Sequence, residues 1–357
     1  MKILLYGESH IIGSGAYFYA KAIEKSGYEL LTYDDHTCLY KYKYNFFYKI
    51  IRKLNKRLIL SYDQKKHFSN FFTFACLHKP DIIIILKGLF LNNENIKHLK
   101  IVSKFVIVIN HDDYFSLNNN NFNSIQLDAL SAYDHVFVTR LVNLDEIKRY
   151  NKNVDLLLFS YDSDVHTIHK LKSNDFEKYM TDVLFIGTYE KSRAKYLENL
   201  ISNTNFTLSI YGQQWQKLDK NSILRKCIKS YSGIWMEEMA KAIQVASITL
   251  GFLRKENRDE YTQRTFEIPA CGGLLLGENT NFQKSILIEN TEAFYFDINN
   301  LNDIKQKIKF ILNNPEIARN VRIAGNSKIK RGEYKYTDKI KQIVDIYTKR
   351  ITIINKN

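Results

Sequence analysis

At 357 residues, with 45% hydrophobic and 25% charged residues, the chain is too long for one ordinary core and too apolar for a disordered or fibrous protein; two domains of roughly 170 residues are expected. Lys and Arg outnumber Asp and Glu by 52 to 38, a formal net charge of +14. That excess points to nucleic acid, an anionic bilayer face or a phosphate-bearing substrate, although a Lys- and Asn-rich composition also inflates it without function.

The chain opens with a predicted strand, Lys2 to Tyr6, which runs into Gly7, Gly13 and Gly15 and then a helix from Tyr17 to Ser26 closed by Gly27. Gly13, Ser14 and Gly15, with Glu8 and Ser9, form a loop whose amides can face an anion at a helix N-terminus. The GxGxxG spacing is absent and no acidic residue takes a clear second-strand position, which argues against an NAD-dependent dehydrogenase. Further strands are predicted at Glu29 to Tyr33, Ile82 to Leu86, Phe105 to Asn110 and His135 to Thr139, so the first half alternates β and α and calls for a parallel, doubly wound sheet. From Tyr40 to Phe68, aromatics (Tyr40, Tyr42, Tyr44, Phe46) interleave with lysines and arginines against Asp63 alone. This stretch reads as a surface for an anionic membrane or acidic acceptor, as a single-strand nucleic-acid binder, or as a solvated helix with its aromatics in the core.

The longest apolar runs, such as Asp81 to Leu86, stop well short of the ~20 residues a membrane span needs. Cys38, Cys76, Cys227 and Cys271 stand far apart with no CxxC pair and no leader ahead of MKILLYG, so a reducing cytoplasm is expected. The run VIVINHDD sets His111 and Asp112 just past a strand's carboxyl end, where such sheets hold reacting groups. His111 is a candidate base or substrate contact and Asp112 a candidate to take a proton from a hydroxyl; the alternative is a loop histidine before an N-cap aspartate.

After Leu156 to Phe159, a polar stretch from Ser160 to Asp175 marks the expected domain change, and the alternation restarts with strands at Asp182 to Ile186, Thr207 to Tyr211, Ile248 to Phe252 and Leu274 to Gly277. Helices are predicted at Met236 to Ala246, Thr265 to Ala270, Asp303 to Leu312, Pro315 to Ala324 and Tyr336 to Tyr347. The stretch DEYTQRTFEIPACGGLLL places Arg264 and Glu267 three apart on one helical face, ahead of Cys271, Gly272 and Gly273. An arginine fork suits diphosphate oxygens and a carboxylate suits the paired hydroxyls of a ribose. An exposed intrahelical ion pair beside a glycine helix stop is the other reading.

FIGTYEKSR, IYGQQW, YSGIWMEEM, RTFEIPACGG and EAFYF, in that order, make the second half resemble the CgeB-type glycosyltransferases, a group similar to the retaining glycosyltransferase family 4 and glycosyl transferases group 1. The resemblance implies a GT-B fold: two Rossmann-like α/β domains facing a central cleft, with a C-terminal helix crossing back to the first. The implied divisions are 1–170 for the acceptor, 171–335 for the nucleotide sugar and 336–357 for the returning helix. It also implies that Glu267 binds ribose and Arg264 the diphosphate, that Gly272 and Gly273 approach the donor, and that Gly187 and Arg193 lie near the phosphates. Tyr211, Gly212 and Gly233 fall in motifs that would line the donor, and Gly13, Ser14 and Gly15 would face the cleft from the acceptor side. Asp259, eight positions before Glu267, stands where a second acidic residue often faces the donor sugar, although Asp replaces the usual Glu.

Asp162-Ser163-Asp164 is a DxD triplet of the kind that holds a divalent metal in the other common glycosyltransferase architecture, yet it falls in the polar interdomain stretch and reads as a solvated linker. His166 and His169 lack a third ligand, so no metal site is expected. The expected activity is metal-independent, hexosyltransferase-like transfer from a UDP, GDP or dTDP sugar, with no permanent cofactor, to a glycan, lipid-linked or protein acceptor in surface polysaccharide or glycoconjugate synthesis. The expected location is the cytoplasm, peripheral to the inner membrane face through 40–68. A basic nucleic-acid-binding protein, or a nucleotide-sugar sensor without transferase activity, is the alternative.

Overall fold

The computed structural model describes residues 1–34, 56–116 and 124–354. The aromatic and basic stretch from Tyr40 lies outside these residues as far as 55, as does the Asn118 to Asn121 run. The chain divides into two compact units, one made of Met1–Leu158, Lys255–Arg258 and Tyr336–Asn357, the other of Phe159–Arg254 and Asp259–Lys335.

The N-terminal unit is built on a six-stranded parallel sheet of β1 (Lys2–Tyr6), β2 (Glu29–Tyr33), β3 (Ile82–Leu86), β4 (Phe105–Asn110), β5 (His135–Val138) and β6 (Val154–Leu156), in the order β2-β1-β3-β4-β5-β6. Strands β3 and β4 are buried along their whole length, which is why IIIIL and FVIVIN are continuous apolar runs and do not alternate. The helix Gly15–Lys25 is started by Ser14, whose hydroxyl accepts from the Tyr17 N–H at 3.0 Å. The last helix, Tyr336–Ile354, packs on it through Tyr336 against Phe18 and Tyr19, and Arg350 pairs with buried Asp134 at 2.7 Å. His67 and Phe68, at the end of the aromatic stretch, turn to this core; Tyr6 and His67 are hydrogen-bonded at 2.7 Å.

The C-terminal unit carries a second six-stranded parallel sheet: β7 (Val183–Ile186), β8 (Leu208–Tyr211), β9 (Ile228–Ser230), β10 (Ile248–Gly251), β11 (Leu275–Glu278) and β12 (Phe294–Phe296), ordered β12-β11-β10-β7-β8-β9. Three features depart from the sequence expectation. The helix from Pro315 does not stop before Gly325 but runs to Arg331, because Gly325 serves a close approach: a Cβ there would lie 2.3 Å from the Glu292 carbonyl. A sixth strand of the N-terminal sheet, Val154–Leu156, pairs with β5 where no strand was predicted. The DxD stretch is no solvated linker: Tyr161, Asp162 and His166 are buried in this unit, and the Asp162 carboxylate accepts from the Asp164 and Val165 N–H groups at 3.0 Å each. No helix among the described residues is long and apolar enough to cross a membrane.

Candidate functional site

In the C-terminal sheet β7 is the first strand, and the chain leaves it to β8 on one side and returns through β10 on the other. The crevice outside the carboxyl ends of β7 and β10 is the topological switch point, where open α/β sheets bind ligands. Arg193, on the helix Lys191–Ile201 that follows β7, does not face that crevice openly. Its side chain is 9% exposed, lies over the Phe185 and Phe252 rings, and bonds the Thr188 carbonyl and Glu190. Burial lowers its pKa, with Glu190 opposing. The exposed cation at this point is Arg254, just past β10, whose side chain is 53% exposed and whose Nε lies 3.3 Å from Glu190. Asp259 closes the same loop, accepting from the Arg254 N–H at 3.3 Å.

Gly187, Tyr211 and Gly212 come together, but as a packing lock between β7 and β8. The Gly187 N–H donates to the Tyr211 carbonyl at 2.9 Å, Trp215 Nε1 donates to the Gly187 carbonyl at 2.9 Å, and a Cβ on Gly212 would fall 1.8 Å from that same oxygen. Gly233 is needed for its backbone, φ +91°. It stands between Tyr231 and Trp235, aromatics that are 45% and 49% exposed.

The short helix Arg264–Ala270 brings Arg264 and Glu267 together as an ion pair, between Arg264 Nη1 and Glu267 Oε2. This is not the exposed surface pair that the spacing also allowed. The Glu267 side chain is 3% exposed while Arg264 is 25% exposed, and Glu267 Oε1 accepts from Gln263 Nε2 at 2.7 Å and faces His166 Nε2 at 3.3 Å. Gly272 and Gly273 precede β11 and therefore sit at the amino end of that strand, away from its Glu278 end. Their glycines answer to packing: Gly272 has φ +74° and ends the helix, and a Cβ on Gly273 would meet Ile243 Cγ2 at 2.3 Å.

In the N-terminal unit His111 and Asp112 follow β4 as expected from the motif. The His111 ring stacks on Tyr19 at 5.9 Å, and its backbone carbonyl accepts from Arg140 at 2.7 Å. Burial draws the imidazole pKa down to about 4; Asp112 opposes this and Lys87 and Arg140 add to it, so the ring is neutral at pH 7. Asp112 is paired with Lys87 at 2.7 Å, and although burial pushes its carboxyl up, Lys87 and Arg140 hold it below the usual range. Its neighbour Asp113 is committed to structure: it accepts both arms of the Arg258 fork, at 2.5 and 2.7 Å, and Asn143 at 2.8 Å. At the first glycine loop Gly13 has φ +82°, the Ser14 hydroxyl is spent on the helix cap and the Glu8 carbonyl, and Gly15 has open space where a Cβ would be.

Sequence reading passed over Arg254 and Gln263, and weighed His166 only as a metal ligand. Arg254 sits in a charged loop with no motif to mark it, whereas the i, i+4 spacing of Gln263 and Glu267 was a usable signal. Among the described residues no group of three His, Cys, Asp or Glu side chains is placed to hold a metal ion.

Residues 193–345 match the family model described as "Glycosyl transferase-like". No curated protein sequence matches the chain. In fold it is similar to sucrose-phosphate synthase from Thermosynechococcus elongatus, with TM-score 0.71 and 11% identity over 99% of this chain and 100% of that one. Anabaena HepE, solved with UDP-glucose, superposes with TM-score 0.66 at 9% identity, covering 98% of this chain and 100% of its own. A glycosyltransferase from Rickettsia africae gives 0.64 at 12% identity over 97% and 98%. Identities this low speak for the fold, and the family match is to the wider glycosyl transferase-like group and not to the CgeB type in particular. The chain has the GT-B fold, and its residues 193–345 match the glycosyl transferase-like model.

Proposed function

We propose that this protein transfers a hexosyl residue from a nucleoside-diphosphate sugar to a hydroxyl acceptor, with the donor held by the C-terminal unit. The carrying observation is the buried Glu267 carboxylate beside the partly exposed Arg264, on a helix inside the glycosyl transferase-like segment. In this reading Arg264 turns from Glu267 to the diphosphate when donor binds, and Glu267 takes the ribose hydroxyls. Arg254, at the switch point, is the second diphosphate cation. Tyr231 and Trp235, flanking Gly233, offer exposed ring faces to a base.

Charge on the diphosphate grows as the glycosidic bond breaks, so guanidinium groups aimed at it stabilise the transition state more than the bound donor. Asp259 is placed on the donor-sugar side of this scheme, and neutral His111 supplies a lone pair for an acceptor or sugar hydroxyl. Asp112 is the weaker candidate base, because Lys87 keeps its basicity low. UDP is the first nucleotide to try, since HepE was solved with UDP and UDP-glucose. Transfer without a metal, a glycan, lipid-linked or protein acceptor, a role in surface polysaccharide synthesis and peripheral contact with an anionic membrane through 40–68 belong to the same proposal.

A thermal-shift panel of UDP, GDP and dTDP with their sugars, with and without EDTA, tests it. A ligand at ~100 times its dissociation constant adds about 2.7 kcal/mol. One nucleotide should stabilise the wild type with chelator present, Glu267→Ala should lose that shift, and the matching sugar nucleotide should be consumed. Absence of any shift, with stabilisation by an oligonucleotide instead, overturns the reading.

A further inference from the structure

We infer that His166 positions Glu267 and thereby sets the selectivity of the donor site for the ribose hydroxyls. The inference rests on the reading of Glu267 as the ribose carboxylate. It comes from how the ring is held.

The Asp162 carboxylate caps the Asp164 and Val165 N–H groups, and the His166 N–H donates back to the Asp162 carbonyl at 2.8 Å, so the backbone from 162 to 166 forms a closed turn. Within that turn the Asp162 N–H donates to His166 Nδ1 at 3.0 Å. A backbone N–H can only donate, so Nδ1 must keep its lone pair and the ring proton belongs on Nε2. Nε2 lies 3.3 Å from Glu267 Oε1, and both side chains are almost fully buried, at 1% and 3% exposure. Burial also lowers the affinity of the ring for a second proton, with Glu267 opposing, so the neutral donor form persists at pH 7.

The two carboxylate oxygens are thereby distinguished. Oε1 is held by Gln263 and His166 from inside the fold, whereas Oε2 carries Arg264, the partner with solvent access. When Arg264 moves to an anionic ligand, Oε2 is released and Oε1 is not. The carboxylate then presents one free oxygen at a fixed angle, which is what recognition of a particular ribose hydroxyl requires.

Titration calorimetry with UDP, GDP and dTDP, each against its 3′-deoxy analogue, tests this. The wild type should prefer the 3′-hydroxyl by about tenfold, the worth of one hydrogen bond to a charged group. His166→Asn keeps an acceptor near the Asp162 N–H but is too short to reach Glu267, and the preference should fall to about twofold; His166→Gln carries an N–H to Glu267 and should restore most of it. A residue that merely supported the fold would shift melting temperature and leave this ratio unchanged, so an unaltered preference in His166→Asn overturns the inference. Nitrogen NMR on the wild type gives a check independent of variant folding. The proton must be on Nε2, and a proton on Nδ1 sinks the proposal. Should the wild type bind none of the nucleotides, the donor-site reading itself falls and takes this inference with it.

Discussion

The two units are the same kind of object used differently. Each is a six-stranded parallel sheet, but the strand order is β2-β1-β3-β4-β5-β6 in one and β12-β11-β10-β7-β8-β9 in the other, so the switch point falls between β1 and β3 in the first and between β7 and β10 in the second. In the N-terminal unit the charges past β4 are paired within the unit: Asp112 with Lys87, and Asp113 with Arg258, which Glu146 from the helix after β5 shares. In the C-terminal unit the side chain of Arg254, 53% exposed, meets Glu190, and that of Arg264 meets Glu267 on its own helix. A carboxylate beyond a strand is therefore not by itself a reacting group. What separates Glu267 from Asp113 is how its cation is held, Arg258 being divided between Asp113 and Glu146 while Arg264 rests on Glu267.

The largest effect expected from that contrast is at Asp113. Removing it by Asp113→Ala leaves the Arg258 fork without its buried partner, and the N-terminal unit should lose about 4 kcal/mol. Hydrogen exchange of β3 and β4 amides would report this. Both tryptophans, Trp215 and Trp235, lie in the C-terminal unit, so their fluorescence transition should move much less. Equal losses in both units would mean that the charges past β4 are not confined to the N-terminal one.

The glycines sharpen the comparison at a somewhat smaller scale. Gly212→Ala drives a methyl into the Gly187 carbonyl and should destabilise the C-terminal unit by about 3 kcal/mol, read by tryptophan fluorescence in urea. Gly15→Ala meets open space at a helix start and should stay within about 0.5 kcal/mol of wild type. A large loss at Gly15 would mean that the space beside its Cα is filled in the folded protein.

Below the loss at Gly212→Ala comes acid sensitivity. His111 has a folded pKa near 4 against an ordinary value of about 6.5, so the unfolded chain takes up the proton first as pH falls. Stability is fully present above about pH 6.5, declines as pH drops toward about 4 and levels off below. The contribution is about 2 kcal/mol for a group that is only partly buried. His111→Asn should flatten that part of the stability profile of the N-terminal unit, and an unchanged slope would mean the ring is solvated enough to titrate normally.

Much of the fold was legible because buried parallel strands leave a plain signal. IIIIL, FVIVIN and VLFI are apolar without alternation, and each is bounded by a loop that starts a helix. The strands β9, three residues reading IKS at the sheet edge, and β12, reading FYF inside EAFYF, were not predicted as strands, since three residues carry no period. Of the site, the pairing of Arg264 with Glu267 follows from their spacing, and so does the helix stop at Gly272. Which glycines serve a ligand and which serve packing did not follow. The close contacts of Gly212 with the Gly187 carbonyl and of Gly273 with Ile243 join residues far apart in the chain, so no local pattern announces them.

By itself the sequence determined the alternation of strand and helix, the two-sheet organisation and the placement of charged residues just past strand ends, because each depends on local periodicity and chain length. Tertiary structure alone decided how those charges are spent. Burial and partnership depend on side chains far apart in the chain: Asp113 meets Arg258, Glu267 meets His166, and Arg193 is covered by Phe185 and Phe252 while Arg254 is left in solvent. The energy of a charged group is set by what surrounds it within a few ångströms, and no pattern along the chain records that.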